Sequence, residues 1–483
     1  MKILMISAEG PPLQRAGALV DVMDALPSAL GTRGHEVSVA LPFYGEIKEN
    51  RGFKKKDTGI AVDVQVGEAT HVARYLECRS ASGVQLFLIR CDAFFDRAGI
   101  YGERGKPYED NAARFIFFCK AALELARRLT PQVQILHVHD WAAALAPVFV
   151  HAQGLPFKTV LTIHHVAEQG SFWGLDFALT NLPERFFTLH GVEFFGRLNF
   201  LKGGILYADR ITTVSEHYRR EVLTPSGGCG LGGVLRENAH RLSAILDGAD
   251  YTRSNPASDR LLPARYDARR LRGKQICREA LLKGLKLAPA SQGPVFGMVT
   301  RVVHEKGFEI LVPLLDRLLW DDVRLIILGE GDPAYETALA VAARKFPTKF
   351  DYQKSYDEKL AHLIEAGMDI SLIPSRFEPA GLSAMYNLKY GALPVARVTG
   401  GIQEIVQDYD PTADSGYGFL CYEYSSEAFW DAVKRARGLF NDRKLWMKLM
   451  KRAMARDFPW SASAQCYEAL YAELVGATDQ AAA

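Results

Sequence analysis

The sequence has no C-x-x-C pair. Its seven cysteines (Cys78, Cys91, Cys119, Cys229, Cys277, Cys421 and Cys466) are scattered and odd in number. That usage fits a reducing compartment and argues against a disulfide framework or a zinc knuckle. No apolar run reaches about 18 residues, so nothing is expected to span a bilayer. Charge of one sign is also missing: 58 Lys and Arg stand against 56 Asp and Glu, for a net +2. No global field draws the chain to nucleic acid or to an anionic membrane, so any anion site must be built locally. No basic stretch followed by an apolar one precedes the first strand pattern, so neither a signal nor a transit peptide is expected. The expected location is cytoplasmic, or the plastid stroma for a plant-type source. Finally, "MISAEGPPLQRAG" lacks G-x-G-x-x-G after the first strand, which disfavours a dehydrogenase.

What is present is length and alternation. A chain of 483 residues is too long for one ordinary domain. Strand patterns at 2–7, 34–44, 84–91, 133–139, 157–165 and 209–215 alternate with helical ones such as 110–129. The scheme repeats at 293–302, 323–332, 368–375 and 392–398, separated by helical stretches near 306–320, 334–345, 379–390 and 401–408. This order predicts two α/β units, each a parallel sheet with helices on both faces. The polar, Pro-bearing stretch 250–274 reads as the crossover between them, with a boundary near 250–258. Residues 460–474 look helical and 478–483 frayed. The basic run 53–57 reads as a solvated loop. The basic amphipathic stretch 434–457 reads as a helix packing Leu439, Phe440, Trp446 and Leu449 inward.

The chemistry-bearing motifs fall at the carboxyl ends of strands, where ligands bind in such sheets. "PPLQRAGALVDVMDAL" (11–26) is a turn and helix start with Arg15 and Gly17, placed to meet a phosphate. "TRVVHEKGF" (300–308) puts Arg301 and Lys306 beside a helix start, a diphosphate site in spirit. In "PSRFEPAGL" (374–382), Glu378 sits in a turn before a helix whose first amides belong to Leu382 and Ser383. "VTGGIQEIV" (398–406) places Gly400 and Gly401 where backbone can approach a ligand. In "HVHDW" (137–141), His137 and His139 share a strand face with no third ligand nearby, so a carboxylate role for Asp140 is favoured over a metal. "TIHHVAEQGSFW" (162–173) ends a strand on His164 and His165.

These segments, in this order and nearly end to end, resemble the bacterial glycogen synthases and plant starch synthases. "FFDRAGIYG" (94–102), "YEDNAARF" (108–115) and "LHGVEFFGRLNFLKGGILYADRITTVS" (189–215) carry the likeness further. The resemblance implies the GT-B architecture: two Rossmann-like domains facing a deep interdomain cleft. Residues 1–252 would form the acceptor-side domain, with a C-terminal helix 460–478 crossing back to it, and 253–459 the donor side. It implies a retaining transfer of glucose from ADP-glucose to the non-reducing end of an α-1,4-glucan (glycogen or a maltooligosaccharide), with no metal or organic cofactor. Such enzymes are usually read as using same-face attack, although a carboxylate nucleophile would also give retention.

By position, Arg301 and Lys306 match the family's diphosphate-binding pair and Glu378 its active-site glutamate on the donor glucose. His164 matches the histidine beside the transferred sugar. Asp140 and Asp21 match carboxylates lining the cleft, Thr399, Gly400 and Gly401 the loop near donor phosphate, and Tyr356 the aromatic stacking on adenine. The chain departs from the pattern at its first turn, where Arg15-Ala16-Gly17-Ala18-Leu19 replaces Lys-x-Gly-Gly-Leu. It also has His165 and Asp247 where Asn is usual, and Ala142 for a usual His. These departures leave two alternatives open: a GT-B relative with another donor or acceptor, and a glucan-binding protein with weakened catalysis.

Overall fold

The computed structural model describes residues 1–13, 18–50, 52–103, 105–289 and 293–481. The chain divides into two compact units: Met1–Asp247 with Trp460–Ala483, and Gly248–Pro459. This division falls five residues ahead of the 252/253 boundary expected from the sequence.

The first unit is built on a nine-stranded sheet. In chain order its strands are β1 (Lys2–Ile6), β2 (Glu36–Pro42), β3 (Lys56–Val66), β4 (Ala69–Arg79), β5 (Gln85–Arg90), β6 (Ile135–His139), β7 (Lys158–Ile163), β8 (Arg210–Thr213) and β9 (Leu242–Ala244). They lie in the order β9-β8-β7-β6-β1-β2-β5-β4-β3. The central strands read KILMI and ILHVH because helices cover both faces, and every residue of both is buried. Helix α1 (Ala18–Thr32) returns from β1 to β2. The strand order reverses between β1 and β6.

The sequence reading had no strands at 56–79, where β3 and β4 form an antiparallel hairpin continuing onto β5. The alternating exposure of β3 is the mark of an edge strand with one wet face. The 53–57 run is only partly a solvated loop. Lys55 Nζ donates to the carbonyls of Ile47, at 2.5 Å, and Asn50, at 2.8 Å, closing the short helix Gly45–Glu49, and Lys56 opens β3.

The second unit holds a parallel six-stranded sheet of β10 (Val295–Val299), β11 (Arg324–Leu328), β12 (Phe350–Gln353), β13 (Ile370–Ile373), β14 (Leu393–Arg397) and β15 (Phe419–Cys421). Its order is β12-β11-β10-β13-β14-β15, so the reversal falls between β10 and β13. Leu281, Val295, Ile326, Ile364 and Met368 form part of its core. Helix α2 (Leu382–Lys389) follows β13.

The stretch 250–274 is a packed part of this unit. The Tyr266 hydroxyl donates to the Tyr390 carbonyl at 2.8 Å. Buried Asp259 accepts from Tyr390 Oη at 2.5 Å and pairs with His362 at 2.7 Å. The helix expected at 306–320 is broken into short α and 3-10 pieces around Pro313. The basic stretch 434–457 is two helices, Ser426–Phe440 and Arg443–Met454, with Phe440, Trp446 and Leu449 buried and Leu439 half-buried. Helix α3 (Trp460–Ala481) belongs to the first unit, where Tyr471 Oη hydrogen-bonds His137 Nδ1 at 2.7 Å. Among the described residues no helix is long and apolar enough to cross a membrane.

Candidate active site

The second unit assembles its site at the strand-order reversal, from the segments after β10, β13 and β14. After β10 the chain passes exposed Arg301 and a single 3-10 turn, His304–Lys306, that ends on Gly307 at φ +79°. A Cβ at Gly307 would lie 2.0 Å from the Pro374 carbonyl oxygen. Only glycine lets the turn press against the end of β13, and that contact brings Lys306 to Glu378. Lys306 Nζ donates to Glu378 Oε2 at 2.6 Å, and buried Ser375 donates its hydroxyl to the same oxygen at 2.8 Å. Glu378 is 7% exposed. An ammonium and a hydroxyl donating to one oxygen fix the buried carboxyl group in one place. Among the described residues, Arg301 makes no ion pair.

Gly400 and Gly401 press against the same turn. Their amides and the loop geometry are fixed by contacts within the protein: a Cβ at Gly400 would lie 2.2 Å from the Glu378 carbonyl oxygen, and one at Gly401 2.1 Å from that of Ala380. The Gly401 amide donates to the Glu378 carbonyl at 3.0 Å. The glycines expected to admit a ligand thus have an internal reason as well. Buried Thr399 lies in this loop and reaches the Arg376 carbonyl with its hydroxyl at 3.5 Å. Gly381, at φ +74°, starts α2, whose first amides, at Leu382 and Ser383, have no acceptor within the helix. A small cavity of about 30 Å³ is lined by Lys306, Glu378, Ser375, Ser383 and Asn387. Glu365 also lines it, and burial, with the charge of Asp259 adding, pushes its carboxyl up to about 8. Tyr356 stands 57% exposed in the loop between β12 and the helix Glu358–Gly367.

In the first unit the site lies at the ends of β6, β7 and β9. Asp140 takes a left-handed conformation, φ +54°, directly after β6. Its Oδ1 accepts the backbone amides of His164 at 2.7 Å and of His165 at 3.3 Å. Asp140 thereby ties the end of β6 to the end of β7. His164 Nε2 lies 3.1 Å from His139 Nδ1, with the rings stacked, and its Nδ1 lies 3.8 Å from Asp247 Oδ2.

The sequence reading saw no third ligand near His137 and His139; His164 is that neighbour. His139 bridges the other two imidazoles, hydrogen-bonded to His164 and in ring contact with His137. Among the described residues no group of three His, Cys, Asp or Glu is placed to hold a metal ion. Burial drives His137 down to about 3 and His139 well below its ordinary value, with His164 adding to both shifts. Burial also opposes charge on His164, but the carboxylates of Asp140 and Asp247 outweigh it and hold that imidazole above its ordinary value. Burial pushes Asp247 up, with His164 pulling back. Asp247 Oδ1, His139 Nε2 and His165 Nδ1 are buried and have no hydrogen-bond partner among the described residues.

Not all expected site residues are in view. Arg15 and Gly17 lie outside the described residues, as does the Ala18 side chain. Asp21 is exposed in the first turn of α1. Sequence reasoning missed Ser375, His139 as the partner of His164, and Glu365. Ser375 stands inside the quoted motif, three residues before Glu378, and was within reach.

Two open α/β units with their polar clusters at the strand ends define a glycosyltransferase of the GT-B class. The comparisons make this specific. A family model for the starch synthase catalytic domain matches residues 2–237, and one for glycosyl transferases group 1 matches residues 286–453. A glycogen synthase of Opitutus terrae is 41% identical over 98% of this chain and 99% of its own. Glycogen synthase 2 of Geobacter sulfurreducens is 38% identical, with 98% of both covered. The catalytic domain of starch synthase IV from Arabidopsis thaliana, solved bound to ADP and acarbose, superposes with a TM-score of 0.91 at 30% identity, covering 98% of this chain and 99% of that one. The sucrose-phosphate synthase of Thermosynechococcus elongatus, at 16% identity and a TM-score of 0.62, shares the fold. The chain belongs to the glycogen synthase family.

Proposed function

We propose that the protein extends an α-1,4-glucan by one glucose from ADP-glucose, with retention of configuration. The observation that carries this reading is the Lys306–Glu378 pair at the strand-order reversal of the second unit, with Ser375 on the same carboxylate oxygen. The starch synthase IV structure was solved with ADP and acarbose, a nucleoside diphosphate and a glucan-like chain. Breaking the glycosidic bond of a nucleotide sugar leaves negative charge on the diphosphate and positive character on the sugar. Lys306, Arg301 and the first amides of α2, at Leu382 and Ser383, are the fixed positive groups assigned to that leaving diphosphate; preorganised charge of this kind stabilises without reorganising. Glu378 is assigned to the donor glucose, the loop Thr399–Gly401 to donor phosphate and sugar, and Tyr356 to the adenine face.

In the first unit, Arg15, Gly17 and Asp21 are assigned to the donor. His164 is assigned to the transferred glucose, with Asp140 holding its backbone and Asp247 its charge. Asp247 Oδ1 and His165 Nδ1, unpartnered among the described residues, suit sugar hydroxyls, since buried polar atoms of this kind ordinarily find partners. The test is a donor panel: radiolabelled ADP-, UDP- and GDP-glucose offered with glycogen as acceptor. The reading expects label in glycogen from ADP-glucose well above the other two. Preference for another nucleotide moves the chain to a different donor, and no transfer from any of them overturns the enzymatic reading.

A further inference from the structure

Helix α3 meets the sheet of the first unit with two tyrosines. Tyr467 and Tyr471 are both buried, and they face His137, Thr162 and Thr212, which stand on the adjacent strands β6, β7 and β8 and are closed to solvent. A polar island inside a dry layer holds the fold no better than apolar residues of the same shape would, and it tolerates no unmade bond. Its place in the fold suggests what it serves, because it leads to the strand-end site.

Tyr471 Oη lies 2.7 Å from His137 Nδ1, and Thr162 Oγ1 lies 2.6 Å from His137 Nε2. Thr162 Oγ1 is in turn 2.6 Å from Thr212 Oγ1 and 3.3 Å from Tyr467 Oη. Burial drives His137 down to about 3, so at neutral pH the ring is uncharged, with one nitrogen donating and the other accepting. With a hydroxyl against each nitrogen, the ring has one place in which both bonds are made. The His139 ring rests on it, centroids 4.1 Å apart, and His139 Nδ1 lies 3.1 Å from His164 Nε2. His137 and His139 are sealed from solvent, whereas His164 has 13% of its side chain exposed and opens onto the site. The same helix holds the other partner of His164: Ser463 Oγ donates to the carbonyl of Leu246, the residue before Asp247, at 2.6 Å.

We propose that Tyr471, with Tyr467 in support, is a positioning residue for glucosyl transfer: it fixes His137, His137 fixes His139, and His139 sets the place of the His164 imidazole. The proposal rests on the assignment of His164 to the transferred glucose; the contacts themselves do not. Both tyrosines are buried, so neither meets substrate itself. A helix from the far end of the chain thereby holds a group at the reacting centre, where a misplacement of about 1 Å lowers turnover by about a hundredfold.

The experiment takes Tyr471→Phe, which removes one hydroxyl and keeps the ring, through two readouts on the full chain. The first is the imidazole ¹⁵N spectrum of histidine-labelled protein, with the His164 signals assigned by their loss in His164→Ala. The second is steady-state kinetics in the wild-type and His164→Ala backgrounds. The control is Tyr75→Phe, which removes another buried hydroxyl of the same unit, one that donates to the Ala121 carbonyl at 2.9 Å. Tyr467→Phe is the second variant; its contact runs through Thr162, so a smaller effect of the same kind is expected, and it carries the test if Tyr471→Phe does not fold. The expected result is that Tyr471→Phe moves the His164 signals and Tyr75→Phe leaves them in place. With it, kcat falls by about ten- to a hundredfold while KM for ADP-glucose stays as in wild type. In the His164→Ala background the same change costs no more than about twofold, because two residues acting through one group are not additive. Unmoved His164 signals, or an equal loss of kcat in both backgrounds, overturn the proposal. Moved signals in a chain that transfers no glucose leave the hold on His164 standing and remove the proposed function instead.

Discussion

The two polar clusters are built in opposite ways. In the second unit the site is made by backbone: Gly307, Gly400 and Gly401 bring three strand-end segments within contact of one turn, and the buried charge that results, Glu378, is paired. In the first unit it is made by side chains: His137 and His139, driven down by burial, underlie a His164 that carboxylates hold up, and polar atoms of Asp247, His139 and His165 are without partners among the described residues. The second design fixes positive charge in place. The first leaves acceptors and donors for another molecule. Substitutions should therefore act differently in the two units.

The largest effect is expected from Lys306→Ala. Removing the cation beside the proposed leaving group should lower kcat by about 10²–10³, read as label transferred to glycogen. A loss of under threefold would remove Lys306 from the chemistry. Next is Gly307→Ala, which places a methyl 2.0 Å from a carbonyl oxygen at a positive φ. It should cost about 3 kcal/mol or more in denaturant unfolding. An equivalent change at Gly438, where an added Cβ meets nothing within 4 Å, should be mild and serves as the control.

Asp247→Asn tests the side-chain design. Asp247 is one of the two carboxylates that hold His164 above its ordinary value. Taking its charge away lowers the pH at which the imidazole gives up its proton. The alkaline limb of kcat/KM should move to lower pH, with activity at the optimum kept within about tenfold. An unmoved limb would show that the pair does not govern titration.

The smallest effect is expected at Glu365. Its carboxyl is raised to about 8 in the fold, so the folded chain keeps a proton that the unfolded chain releases near 4.3. Stability is therefore lost through this group as pH rises between those values. Glu365→Gln cannot lose it, so the Tm of the variant should gain on wild type steadily from pH 5 to pH 8. A constant difference would contradict the raised value.

The same contrast explains what the sequence made legible. Strands such as KILMI and RLIIL are apolar after their first residue, so the central strands and their order of appearance could be read directly. The second unit's motifs were legible because each is local: Arg301 and Lys306 lie five residues apart, and Glu378 and Leu382 four. The first unit's cluster was not, because its contacts join residues far apart in the chain. Asp247 meets His164 across 83 positions and Tyr471 meets His137 across 334. The β3–β4 hairpin escaped for another reason: its polar alternation suits a surface loop as well as an edge strand until a partner strand is found.

The central claim is that the second unit's fixed cations hold a nucleoside diphosphate. Calorimetric titration of ADP into wild type and into the Arg301→Ala and Lys306→Ala variants tests it most directly. The account predicts that ADP binds the wild type and binds each variant at least about tenfold more weakly, roughly the contribution of one charge-assisted contact. Equal affinity in all three proteins would contradict it.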